Sequence, residues 1–144
     1  MPRLKLKFPC EKIFSTKISI RITDLNYGGH MGNDALLSMV HEARVQFFNS
    51  IGVSEIEFFG VSVIMSDVLV QYKSEGFAGD KLLFEIGVDD IAERSFDIWY
   101  HIFKMMNDEK KEVAIVKTGM MCFDYNARKT TAIPAKFKET FSVE

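Results

Sequence analysis

The chain has 144 residues, 47% of them hydrophobic and 26% charged, and a formal net charge of −2. That length suits one domain with a sizeable core, and the balance excludes a disordered chain and offers no basic face for general nucleic-acid binding. No apolar run approaches membrane-spanning length, and Met1–Lys7 alternates charged and apolar residues without a signal-peptide core, so a cytoplasmic protein is expected. Cys10 and Cys122 stand far apart, and with three dispersed histidines they give no zinc spacing. Two reduced, mostly buried thiols and no metal site are the expectation.

In chain order, Lys17–Ile22 alternates strictly and predicts a half-buried strand with Ile18, Ile20 and Ile22 on one face. A glycine-rich loop follows. From about Asn33 to Ile51 the period becomes helical, with Leu36, Val40, Ala43, Phe47 and Ile51 in one stripe and Leu37 and Phe48 at its edge. Asn33 or Asp34 can cap its start, and Gly52 suits the position past its end. Four strand-like segments come next, near Val61–Ser74, Lys81–Ile91, Ser95–Met106 and Glu112–Tyr125. Turn signals separate them at Gly76 to Gly79-Asp80, at Glu93-Arg94 and at Asn107-Asp108, with Lys110-Lys111 read as a hairpin tip. No repeat, linker or low-complexity stretch interrupts the pattern. One long helix and consecutive antiparallel strands predict an α+β domain in which a curved sheet of about five strands wraps the helix. The other sheet face and one edge strand then need cover, and a second copy of the chain can supply it.

The stretch Asp24-Leu25-Asn26-Tyr27-Gly28-Gly29-His30-Met31-Gly32-Asn33-Asp34 carries the chemistry. A glycine-dense backbone at a helix start leaves N–H groups close to a ligand and unpaired. Such groups can hold a carbonyl oxygen as it becomes negative, while the polar side chains handle water and protons.

The whole pattern resembles the hotdog-fold thioesterases, specifically the 4-hydroxybenzoyl-CoA thioesterase-like group, over about Ile13 to Phe141. The family runs acidic-x-acidic-x-x-Gly-His-hydrophobic-Asn-Asn into a helix with Glu-Ala-Arg. Asp24, Gly29, His30, Met31 and Asn33 match, followed by Glu42-Ala43-Arg44. Tyr72 and Gly79-Asp80 look like the family's Tyr…Gly-Asp turn, and Phe123-Asp124, Arg128-Lys129 and Ile133-Pro134 look like its closing strand, turn and tail. Two positions depart. Gly32 replaces the first asparagine, and Asn26 stands where many members carry the catalytic aspartate. Asp24-x-Asn26-x-x-Gly29 also resembles the medium- and long-chain acyl-CoA hydrolases, where the asparagine pairs with an acid elsewhere, often on the facing subunit.

The resemblance implies a single hotdog domain over residues 1–144, a homodimer or homotetramer, no cofactor, and hydrolysis of an acyl-CoA thioester in a channel between subunits. Alternatives are an acyl carrier protein thioesterase, a hydratase or dehydratase, and a non-catalytic acyl-CoA-binding protein. The catalytic candidates are Asn26, His30, Asp34 and Glu42; the substrate-binding candidates are Gly29, Met31, Gly32 and Asn33. Backbone N–H groups from Gly29 to Gly32 form the expected oxyanion hole. Asn26 and His30 would position thioester or water, and His30 reads equally as a loop-holding residue. Asp34 is a cap or the base that replaces the missing acid. Glu42 lies about 80° around the helix from Asp34 and about 12 Å along it, so the two cannot share a proton. Glu42 reads as a carboxylate facing a neighbouring subunit, or as a solvated group or partner for Arg44. Asp67 is a cross-subunit acid or an outward-facing charge, and Lys73, Arg128 and Lys129 are candidates for the coenzyme's phosphates.

Overall fold

The computed structural model describes residues 5–141. Strand β1 (Phe14–Ser19) leads through a short 3-10 turn into helix α1 (Asn33–Ser50). Strands β2 (Ser62–Tyr72), β3 (Lys81–Asp89), β4 (Ser95–Met106) and β5 (Glu109–Asp124) follow. A two-residue strand β6 (Lys129–Thr130) and helix α2 (Ala135–Phe141) close the chain. The curved sheet is antiparallel throughout in the order β1-β3-β4-β5-β2, with β6 added beside β5.

The alternation in β4 buries Phe96, Ile98, Tyr100 and Ile102 against α1, which contributes Leu36, Met39, Val40, Ala43, Phe47 and Phe48 to the same core. Burial of this apolar surface is the main drive for laying the helix on the sheet. The β4–β5 hairpin turns at Asn107 and Asp108, both with positive φ (50° and 68°), the conformation that matches the twist of its strands. Lys110 lies just inside β5, bonded to Glu85 at 3.0 Å. Among the described residues no helix is long and apolar enough to cross a membrane.

Four expectations are corrected. The first strand ends at Ser19, and Ile22 is 78% exposed, because the Arg21 amide and guanidinium both bind the Asp24 carboxylate and wind residues 22–24 into a turn. Ile20 alone keeps the deep inward position. The cap of α1 is Gly32 with no side-chain hydrogen bond, so neither Asn33 nor Asp34 caps it; both already lie in the first turn. The tail contains α2, whose Phe137 packs at 4.5 Å between ring centroids on Phe96 and 5.3 Å on Phe58. Finally, the outer sheet face is partly covered by the chain's own residues. The segment from Leu6 to Ile13 crosses it as a strap: the Leu6 amide bonds Gln71, Phe8 stacks on His101, and the Ile13 amide donates to the Ile86 carbonyl at 2.8 Å. Cys10 is half-buried in the strap and Cys122 lies in the core; burial pushes both thiols up to about 11, so both stay protonated near neutrality.

Candidate active site

The loop from Asp24 to Gly32 is tied at both ends before it meets anything else. The Asp24 carbonyl accepts the Gly32 amide at 3.1 Å, and the Asn26 amide donates to the His30 carbonyl at 2.9 Å. Gly29 turns the chain at φ +85°, a region that disfavours side chains. A second loop, Ser74–Asp80, docks on the first: the Met31 amide donates to the Gly76 carbonyl at 2.8 Å. The loops approach closely there: a Cβ on Gly76 would lie 2.6 Å from the Ile20 Cδ1, so a side chain at this position would have to displace the end of Ile20.

Between the two loops and the end of β2 lies a recess of about 340 Å³ lined by Asn26, His30, Met31, Asn33, Tyr72 and Glu75, with neighbours of the last two completing its wall. His30 Nε2 lies 3.9 Å from Glu75 Oε1 and edge-on to the Phe77 ring. Burial pushes the Tyr72 hydroxyl up, so it remains protonated. The Asn26 side-chain carbonyl accepts the Gly28 amide at 2.8 Å, which leaves its NH₂ group as the end free for a ligand.

The expected oxyanion donors are redistributed. The amides of Gly29, Met31 and Gly32 are already bonded, to Asn26, Gly76 and Asp24. Among the described residues, the N–H groups of His30 and of Asn33, at the start of α1, carry no partner. A helix start leaves its first amides unpaired, and His30 and Asn33 border the same recess as Asn26.

Of the sequence candidates, Asn26, His30, Met31 and Asn33 line this recess, whereas Asp34 and Glu42 do not. The Asp34 carboxylate folds back over Gly32, 2.8 Å from where a Cβ would stand. Glu42 borders a separate recess with Arg21, Asp24 and Ser38, and it accepts a hydrogen bond from Gln46 at 2.7 Å. It does not pair with Arg44, whose Nε instead reaches Glu55 at 3.3 Å. Asp67 faces outward and pairs with Lys117 at 3.1 Å. Lys73 stands in the recess wall.

Two residues escaped sequence reasoning. Glu75 sits far along the chain from His30 in a loop with no pattern. Lys104 left a signal: it continues the inward alternation of β4. It is 8% exposed, and its ammonium donates to the Glu75 carbonyl at 2.7 Å and stands 5.3 Å from the Phe77 centroid. It thereby holds the loop that presents Glu75.

A family model described as the thioesterase-like superfamily matches residues 20–141. A 1,4-dihydroxy-2-naphthoyl-CoA hydrolase of Microcystis aeruginosa is 26% identical over 122 residues, 83% of this chain and 86% of that one. A 1,4-dihydroxy-2-naphthoyl-CoA thioesterase from Synechocystis superposes with a TM-score of 0.75 at 20% identity, covering 87% of this chain and 92% of that one. A DHNA-CoA thioesterase from Staphylococcus aureus superposes with a TM-score of 0.74 at 19% identity, covering 88% of this chain and 84% of that one. These superpositions speak for the hotdog fold.

Proposed function

We propose that this chain, which belongs to the thioesterase-like superfamily and is a thioester hydrolase, hydrolyses acyl-CoA in the recess between Asn26, His30, Asn33 and Glu75. The observation that carries this reading is that one recess is lined by two residues with unpaired backbone amides, by Asn26 with its side-chain amide unbonded, and by His30 beside Glu75.

The thioester carbonyl oxygen is held by the Asn33 and His30 amides and the Asn26 NH₂ group. These donors strengthen as the oxygen becomes negative. A water attacks the carbonyl carbon and gives its proton to His30 Nε2, and the Glu75 carboxylate stabilises the imidazolium so formed. The tetrahedral intermediate collapses by breaking the C–S bond, and the departing thiolate takes the proton from His30. The products are the free acid and the CoA thiol, and no cofactor enters. Asn26 cannot accept the proton, so His30 and Glu75 take the part that an aspartate plays elsewhere in the family. Lys73 and the mouth of the recess offer a place for the coenzyme's phosphates.

The active unit in this proposal is a homodimer, itself able to pair into a tetramer. Strand β2 is an edge of the sheet, bonded at its start where the Val63 amide donates to the Glu55 carbonyl at 2.7 Å and open beyond it, with Met65 and Tyr72 half exposed. Such an edge is a template for a second copy.

The test is turnover across short, long and aromatic acyl-CoAs and an acyl carrier protein thioester, with a thiol-trapping reagent reporting the released thiol. Saturable hydrolysis of an acyl-CoA is expected. Preference for the carrier protein would reassign the donor. Absence of hydrolysis with tight acyl-CoA binding would sink the catalytic reading in favour of a binding protein.

A further inference from the structure

Lys104 is the next inward position of β4 after Phe96, Ile98, Tyr100 and Ile102, and it is the one charged residue of that series. An ammonium carried to the end of an apolar face loses water and needs acceptors there. It meets them all in one loop, Ser74–Asp80. Its Nζ donates to the Glu75 carbonyl at 2.7 Å, lies 5.3 Å from the Phe77 ring centroid and stands 3.9 Å from Asp80 Oδ2.

The sheet holds the two ends of this loop. The Lys73 and Ser74 amides donate to the Val113 carbonyl at 2.7 and 3.2 Å, and the Gly79 amide donates to the Ile20 carbonyl at 2.8 Å. Between those ends, residues 75–77 are bonded to the rest of the described chain at two points. The Met31 amide donates to the Gly76 carbonyl, and Lys104 donates to the Glu75 carbonyl. The Glu75 side chain is 63% exposed and has no hydrogen bond to a described residue, so its backbone fixes where its carboxylate stands, 3.9 Å from His30 Nε2. The Phe77 ring is edge-on to His30 with centroids 6.4 Å apart. Lys104 thus touches both residues of the loop that approach His30, and it is not itself among the residues lining the recess.

Resting on the reading that His30 takes the proton and Glu75 steadies the imidazolium, we infer that Lys104 is a positioning residue for that pair. Its ammonium fixes the loop so that the Glu75 carboxylate meets the imidazolium as it forms. An uncharged side chain of similar length fills the same space but leaves the Glu75 carbonyl without its donor. Misplacing a group by about 1 Å can lower a rate on the order of 100-fold. The loss falls on kcat and spares KM, because the imidazolium forms only as the reaction proceeds.

The experiment uses the full chain and its best acyl-CoA. Lys104→Met keeps the stem and removes the ammonium; it should lower kcat at least tenfold and leave KM within twofold. Lys104→Arg keeps a charged donor and should recover most of that loss. Glu75→Gln should lower kcat as well, and Lys104→Met added to it should lower kcat less than threefold further, because the two act through one contact. A second readout is independent of turnover. The chain has three histidines, and in carbon-edited NMR spectra Lys104→Met should shift the His30 ring signals while those of His41, on α1, stay in place. Multiplied losses in the double variant, a raised KM at constant kcat, or unmoved His30 signals overturn the positioning role. Full activity of Glu75→Gln, or no hydrolysis of any acyl-CoA, discards the proposed chemistry instead. The His30 signals then decide alone: moved, they keep Lys104 as the residue that places the loop against His30, and unmoved, they overturn it. Lys104→Gln, a shorter neutral donor, takes the place of Lys104→Met in every comparison if that variant does not fold.

Discussion

Asn26 has its side-chain carbonyl committed to the Gly28 amide, so what it offers a ligand is a donor. Replacing it by alanine removes that donor from the developing oxyanion. Such losses typically lower kcat about 100- to 1000-fold. We expect Asn26→Ala to fall in that range for the best acyl-CoA, with an unchanged circular dichroism spectrum; retained kcat would take Asn26 out of the mechanism. Asp24 works on the same loop by electrostatics. The Arg21 side chain bonded to its carboxylate, aided by the Arg21 amide, holds Asp24 below the usual carboxylate range against the opposing cost of burial. A depressed folded value means stabilisation that is fully present above the unfolded value, about 3.9, and is lost as the pH falls through the folded one. Asp24→Asn should therefore have a lower Tm than the parent by a constant margin between about pH 8 and 5, and the margin should close below about pH 4. A margin independent of pH would assign the effect to hydrogen bonding alone. Because Arg21 is exposed, added salt should narrow the margin too.

The strap from Leu6 to Ile13 lies so close to β3 that Gly87 has no room for a methyl group. A Cβ there would stand 2.5 Å from the Glu11 carbonyl oxygen and 2.6 Å from Cys10 Sγ. Backbone cannot yield as a side chain can, so Gly87→Ala should lift the strap and destabilise the fold by about 1–3 kcal/mol. Lifting frees Cys10 from the burial that raises its pKa, and its alkylation rate, followed by peptide mass spectrometry with Cys122 as the internal reference, should increase. An unchanged rate would mean that the strap shifts without opening. The β4–Lys104 arrangement belongs to this scale as well: a strand alternation carries a buried ammonium to the carbonyl of a loop residue, and that loop in turn presents Glu75 to His30.

At the scale of the whole molecule, the recess at Asn26 lies at the end of edge strand β2 and opens to solvent. If a second copy closes it, catalysis depends on assembly. Specific activity should fall on dilution through the dimer dissociation constant, in step with the dimer fraction measured by sedimentation equilibrium. Constant activity of a sedimenting monomer would show that the recess works uncovered and would remove the dimer from the proposal.

The succession of a strand, a long helix and four strands was readable along the chain because hydrophobic period reports which face meets the core, whatever the partner. The polar and glycine-rich make-up of the Asp24–Asp34 loop, set before a helix start, was readable too, since these are local properties. The place where local reading failed first was Ile22: the strand alternation continues through it, yet three hydrogen bonds from Arg21 to the Asp24 carboxylate win over pairing and turn it outward. The identity of the amides left free was likewise decided by long-range partners, since Met31 gives its N–H to Gly76, a residue of another loop. Glu75 beside His30, Glu55 rather than Glu42 on Arg44, and Tyr100 bonded to both Arg44 and Thr118 all join residues distant in sequence. What the sequence determined by itself was the set of elements, the loop and its polar inventory. Which side chains share a recess was decided only by sheet register and helix placement, because contact across a core depends on how elements pack and not on where their residues fall along the chain.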